Sequence, residues 1–207
     1  MKRVQFFMSV AMVMVLLPVW SVAFAEKEEK MSDALSVIHS RKSVRSFTGQ
    51  SVTKDALDKI VRAGMAAPTS RDTRHFFFVI VDDPLVIDRM TEGLPYAKML
   101  SIARHAIVVC SDLNLAYGGK EIDYWLQDSS AAAENILLAA HAMGLGACWT
   151  GVHPRPERVA FLRELMNIPE NVMPLCVIAV GHPAGEEKPR DKFDPQHVYW
   201  NAWGKPS

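Results

Sequence analysis

A chain of 207 residues, 49% hydrophobic and 22% charged, carries enough apolar material for one medium domain or at most two small ones. Its 23 basic and 23 acidic residues cancel to a formal net charge of +0, which removes the global field that draws nucleic acid or an anionic membrane surface. Any anion must therefore be held by a local arrangement of side chains.

The N-terminus reads as a targeting segment. Lys2 and Arg3 precede the apolar run VQFFMSVAMVMVLLPVW, and Ala23–Ala25 supply small residues ahead of the polar EKEEK. That order is a secretory signal, so residues 1–25 are read as a cleaved signal peptide and 26–207 as the folded domain. The product is then periplasmic or secreted, with no membrane attachment after cleavage. Lys2-Arg3 is not a twin-arginine pair, which points to the general secretory route. The alternative is an uncleaved anchor, because the run is nearly long enough to span a bilayer. Export predicts an oxidising compartment, yet the 3 cysteines are odd in number and widely spaced. Cys110 and Cys176 lie inside the apolar runs AIVVC and PLCVIAV, where a thiol behaves as a small hydrophobe. Neither a disulfide framework nor a zinc site is expected.

MSDALSVIHS reads as a helix capped by Ser32 or Asp33. A second helix starts after Thr53 and runs through KDALDKIVRAGMAA, with Leu57, Ile60, Val61 and Gly64 on one face and Pro68 as its stop. HFFFVIVDD is a continuous apolar run, predicted as a strand buried on both faces. Short helices are predicted over LVIDRMTEG and YAKMLSIA, then a strand at HAIVVCSD. A long helix from about Ile122 to Met143 follows, Ala-rich and therefore suited to a central position, with Gly144 as its cap. ACWTG is a short extended piece, RPERVAFLRELMN an amphipathic helix and MPLCVIAVGHP the last core strand. The plan is α+β or three-layer α/β. From Pro183 onward (residues 183–207) the chain loses periodicity but keeps Phe193, Tyr199, Trp200 and Trp203, which predicts an extended arm that buries its rings on another surface, such as a second subunit.

Chemistry concentrates in four stretches. SRKSVRSF places Arg41, Lys42 and Ser43 at a helix end, and Arg45 on the same side as Ser43 in extended geometry. Two cations beside a hydroxyl make a phosphate-binding set, although a basic helix end also simply complements the dipole. KPRDK in the tail aligns Arg190 with Lys192, or else is a solvated charge run. APTSRDTRHFFF is a polar loop leading into a strand, where ligands sit in open sheets. GLGACWTG has three glycines that permit close approach to a flat ligand, while Cys148 and Trp149 also suit plain packing. No dinucleotide fingerprint or P-loop occurs. The 7 histidines show no metal-ligand spacing.

In this order the four stretches resemble the nitroreductase family of FMN-dependent oxidoreductases, over about Ser32 to Trp203. The resemblance implies a three-layer α/β/α fold of the α+β class, with a central, mostly antiparallel sheet flanked by helices and an extended C-terminal arm. It implies homodimers with FMN at the interface and residues from both subunits. Arg41, Lys42 and Ser43 then match the phosphate and ribityl contacts, and Arg45 reaches N1 and O2 of the ring, where a cation stabilises reduced flavin. Arg190 and Lys192 match a C-terminal basic pair on the same phosphate. Pro68, Thr69, Ser70 and Asp72 match the segment along the flavin, and Cys148, Trp149, Thr150 and Gly151 the segment covering one face near N5. Lys98 matches a further contact. The sequence departs from the family at Asp72, where Asn is common, and at Arg74-His75, where Gln-Pro is common. A carboxylate cannot donate as an amide does, so either Arg74 pairs with Asp72 or the pocket favours a charged substrate. An acidic residue that stands near Thr150 in some members is absent here.

The implied activity is ping-pong hydride transfer from NAD(P)H, or another donor, through FMN N5 to nitroaromatic, quinone or similar acceptors. The cofactor carries the chemistry, so no catalytic protein nucleophile or base is expected. Scarcity of reduced nicotinamide outside the cytoplasm keeps other readings open. One is a flavin-binding or redox-partner protein without nicotinamide-driven turnover. Another is a dehalogenase or flavin-modifying member of the family.

Overall fold

The computed structural model describes residues 34–185 and 187–204. The signal-peptide reading and the caps expected at Ser32 and Asp33 fall outside them. The elements are α1 (Ala34–Ser40), α2 (Lys54–Met65), β1 (Phe76–Val81), α3 (Pro84–Gly93), α4 (Leu100–Ala103), β2 (His105–Asp112), α5 (Tyr124–Ala142), β3 (Gly146–Gly151), α6 (Pro156–Met166) and β4 (Val172–Gly181).

Local chemistry sets most boundaries. Thr53 Oγ1 accepts the Ala56 N–H at 3.2 Å and starts α2, whose Leu57, Ile60, Val61 and Gly64 are buried. Asp83 accepts the Leu85 N–H at 2.8 Å and Pro84 opens α3 at a position that lacks an intrahelical donor anyway. The helix expected over YAKMLSIA shrinks from its start to α4, because Tyr96 is left-handed (φ 65°) and the chain turns until Leu100; Arg104 (φ 63°) closes the helix after Ala103. α5 begins at Tyr124, and Gly144, in the left-handed region at φ 74°, follows its end.

The four strands form one sheet in the order β1-β2-β4-β3, antiparallel at every described pairing. Side chains alternate between its faces. Ala106, Val108, Cys110, Val177 and Ala179 join α3, α4 and α6 on one face, while Ile107, Val109, Ile178 and Val180 join α2 and α5 on the other. The result is three layers with two apolar cores. A register shift between Val109 and Cys110 lets both Leu175 and Cys176 of β4 pack on the α2/α5 side. All three cysteines are buried and unpaired, and Cys110 and Cys176 point into opposite cores. Burial pushes the Cys110 thiol up to about 12 and raises Cys176 and Cys148 as well.

One expectation fails at β1. HFFFVIVDD was expected to be covered on both faces, yet Phe77 (48% exposed), Val79 and Ile80 are open. The reason is position: β1 is an edge strand, with no strand on its outer side among the described residues.

Candidate functional site

The site grows from the end of α1. Beyond Ser40 the chain becomes extended and adds to β3: Ser43 bridges Ala147 in parallel, and the Val44 N–H donates to Ala147 O at 2.9 Å. Val44 is buried in the α3/α4/α6 core, so alternation turns its neighbours Ser43 and Arg45 outward; Phe47, three positions on, enters the same core where the strict alternation ends. Gly146 makes this docking possible. A Cβ there would stand 2.7 Å from Val44 Cγ1. Of the three glycines in GLGACWTG, Gly144 serves the helix end and Gly146 the approach of Val44, while at Gly144 and Gly151 alike an added Cβ meets nothing within 4 Å.

The tail returns along the same segment. The Thr48 N–H donates to His182 O and the Ala184 N–H to Ser46 O, each at 2.9 Å, and Phe47 bridges Pro183. This pairing brings the two basic stretches to one cavity of about 450 Å³, lined by Arg41, Lys42, Ser43, Arg45, Glu187, Lys188, Arg190 and Lys192. Arg41, Arg190 and Lys192 also wall a cavity of about 640 Å³ whose apolar lining includes Ile38 and Phe193. Among the described residues only Arg41 of these cations has a carboxylate partner, Glu134 Oε1 at 2.9 Å. The cations of this concavity outnumber its one carboxylate, Glu187, whose Oε1 accepts the Arg45 N–H at 3.4 Å, and that excess favours a multiply charged anion.

α5 supports the cluster from behind. Glu134 and His141, two turns apart on one face, meet Arg41 and Ser40; His141 Nε2 lies 2.8 Å from Ser40 Oγ. Burial, then Lys42 and Arg41, hold the His141 imidazole below its ordinary value. Arg45 acts on β3 as well, partly offsetting the upward push of burial on the Cys148 thiol. Cys148 and Thr150 are buried in the chain and Trp149 packs partly against the α2/α5 core, so this strand can offer a ligand mainly its backbone.

The other candidates lie apart from that cavity. Pro68, Thr69, Ser70 and Asp72 sit at the opposite half of α5, where the Ser70 N–H donates to Asp128 Oδ2 at 2.8 Å. From Asp128 to Glu134 the helix rises about 9 Å. Lys98 is exposed in the turn before α4 and lines none of the cavities above. Arg74 does pair with Asp72, donating from Nε at 2.8 Å and from its terminal nitrogen at 2.6 Å. That bond lowers the Asp72 carboxyl and raises the Arg74 guanidinium. Sequence reasoning missed Glu187, Glu134 and His141, as well as a buried chain of Ser111, His75 and Asp128. The i, i+7 spacing of Glu134 and His141 was visible, but nothing local names their partners.

The architecture and the basic cavity define an α+β protein whose sheet edge is suited to a phosphate-bearing ligand. The family profile described as Nitroreductase family matches residues 38–94 and 90–182, and the chain belongs to that family. A relative from Methanothermobacter thermautotrophicus, under the provisional name NADH dehydrogenase/NAD(P)H nitroreductase, is 41% identical over 177 residues, 86% of this chain and 91% of its own. A crystal structure from Parabacteroides distasonis with the same provisional name superimposes with a TM-score of 0.78 at 46% identity, covering 82% of this chain and 98% of that one. An FMN-dependent nitroreductase from Clostridium difficile superimposes at 0.74 with 29% identity, over 82% and 99% of the two chains.

Proposed function

We propose that this protein is an exported FMN-dependent oxidoreductase that passes electrons from NAD(P)H to nitroaromatic, quinone or similar acceptors as a homodimer. Membership of the nitroreductase family and the FMN-dependent neighbour support the enzyme class and its cofactor. The observation that carries the reading is the convergence of the Arg41–Arg45 and Lys188–Lys192 segments on one cavity of about 450 Å³, with five cationic side chains lacking an ion-pair partner among the described residues.

FMN fits this donor set. Lys42, Ser43, Arg190 and Lys192 hold the phosphate, and Arg41, already oriented by Glu134, closes the same end. Arg45, projecting toward β3, takes the ring and steadies the negative charge of its reduced form. When bound, FMN supplies two-electron transfer between donor and acceptor. The Pro68–Asp72 loop lines neither cavity of its own chain, and a second copy brings that loop to the ring. Exposed Ile38, Met65 and Phe77, with the arm's Phe193, Trp200 and Trp203, are apolar surface for such a contact.

Purified protein should be yellow and release FMN on denaturation; a colourless protein with no affinity for added FMN sinks the flavin reading. Export is tested separately. The mature chain should begin near residue 26 in the exported fraction, and an intact Met1 terminus confined to the cytoplasm refutes it.

A further inference from the structure

Three side chains that the cavity does not use form a buried line across the sheet end. His75 and Ser111 are 0% exposed and the Asp128 side chain 12%. Ser111 Oγ lies 2.8 Å from His75 Nδ1, and His75 Nε2 lies 3.0 Å from Asp128 Oδ2. The same carboxylate oxygen accepts the Ser70 N–H at 2.8 Å. The residue types suggest a hydrolytic triad, but a fully buried hydroxyl cannot meet a substrate, and nucleophile and acceptor attach to the wrong ends for attack. The line must do something other than chemistry.

What it holds is a loop in unfavourable backbone. Arg71, Asp72 and Arg74 all have left-handed φ, at 55°, 54° and 49°. Non-glycine residues persist there only when neighbours over-determine them. Several contacts contribute: the Arg74 N–H to Thr69 Oγ1 at 3.1 Å, the Asp72–Arg74 fork, and Arg71 above the Tyr117 ring at 4.0 Å. Those groups are largely exposed and compete with water. The Asp128 bond is the more shielded one, part-buried with the carboxylate side chain only 12% exposed, and a bond to a carboxylate out of water's reach is the stronger kind. Asp128 Oδ2 faces Nε2 of the imidazole and Ser111 Oγ faces Nδ1, so both ring nitrogens are engaged and the ring cannot turn without breaking a bond. The Asp112 N–H, donating to His75 O at 2.9 Å, fixes the backbone at the other end.

We propose that Asp128 and His75 are positioning residues that set the Thr69–Ser70 turn for its contact with the flavin ring, acting through the Ser70 main chain. This rests on the flavin reading above.

The test compares full-length wild type with Asp128→Ala, Asp128→Asn and Ser111→Ala. Two readouts are used: amide exchange of the 69–74 segment after flavin removal, and visible circular dichroism of bound FMN. Asp128→Ala should speed exchange in that segment about 10- to 100-fold and alter the FMN spectrum. Asp128→Asn keeps an acceptor oxygen and should restore both toward wild type. If Asp128→Ala does not fold, Ser111→Ala carries the test, with about threefold faster exchange and a smaller spectral change expected. A wild type that binds FMN alongside a folded variant with unchanged spectrum and exchange overturns the positioning role alone. A wild type with no affinity for FMN overturns the flavin reading, and this proposal with it.

Discussion

At the scale of single residues, charge decides the outcome. Arg45 faces the ligand side of an extended segment; its backbone N–H donates to Glu187 Oε1 at 3.4 Å, while its guanidinium has no ion-pair partner among the described residues. Arg45→Ala should weaken FMN binding about 10- to 100-fold, as expected for one lost charge-assisted contact, and lower the bound flavin's reduction potential. Flavin titration and spectroelectrochemistry check the two separately, and an unchanged potential removes Arg45 from the ring. His141 makes the opposite kind of statement. Its imidazole is held below the ordinary value of 6.5, first by burial and then by Lys42 and Arg41. The unfolded chain therefore takes up a proton more readily than the folded one. This contribution to stability is present above about 6.5 and is lost as pH falls from there toward the lower folded value. Thermal midpoints across that window should decline on acidification, and His141→Gln should flatten part of the slope; an equal slope in both proteins contradicts the linkage.

At the scale of elements, the site depends on one close approach. A Cβ on Gly146 would lie 2.7, 2.8 and 3.0 Å from the branched carbons of Val44. Val is stiff at χ1 and cannot swing away, so Gly146→Ala should displace the strand that carries Ser43 and Arg45. A loss of about 1–3 kcal/mol in stability is expected, together with weaker flavin binding. Denaturant melts and flavin titration measure both; full stability would mean the segment tolerates the shift. The elements themselves were largely legible. Thr53, Pro68 and Gly144 announced their ends because capping and backbone restriction are local. The covering of β1 was not, since an apolar run is identical whether a strand is central or at an edge. The meeting of Arg41 with Arg190 was also invisible to spacing, and came only from the resemblance. His75 and Asp128 stand 53 positions apart, a contact that only the antiparallel β1–β2 pairing and the seat of α5 create.

At the scale of the whole molecule, the arm is where the proposed dimer contact and the proposed flavin site meet. Its start pairs with residues 46–48, its middle supplies Arg190 and Lys192, and its end leaves Trp203 90% exposed. Removing everything after Pro183 should therefore abolish dimers and reduce FMN affinity together, as judged by sedimentation and titration. A truncated chain that stays dimeric and fully loaded would assign the arm another purpose.

The three interior thiols carry a practical consequence. Each is buried, and each is driven away from its reactive thiolate form, Cys110 to about 12. Alkylating reagents should then mark a molecule only when it opens, which turns the cysteines into clocks. Cys110 and Cys176, on the two central strands, report opening of the entire sheet, whereas Cys148 on the outer strand β3 reports release of the edge that abuts Arg45. Adding FMN should slow labelling at Cys148 more than at the other two, so mass spectrometry of alkylated peptides can follow ligand occupancy in a protein that has lost its colour.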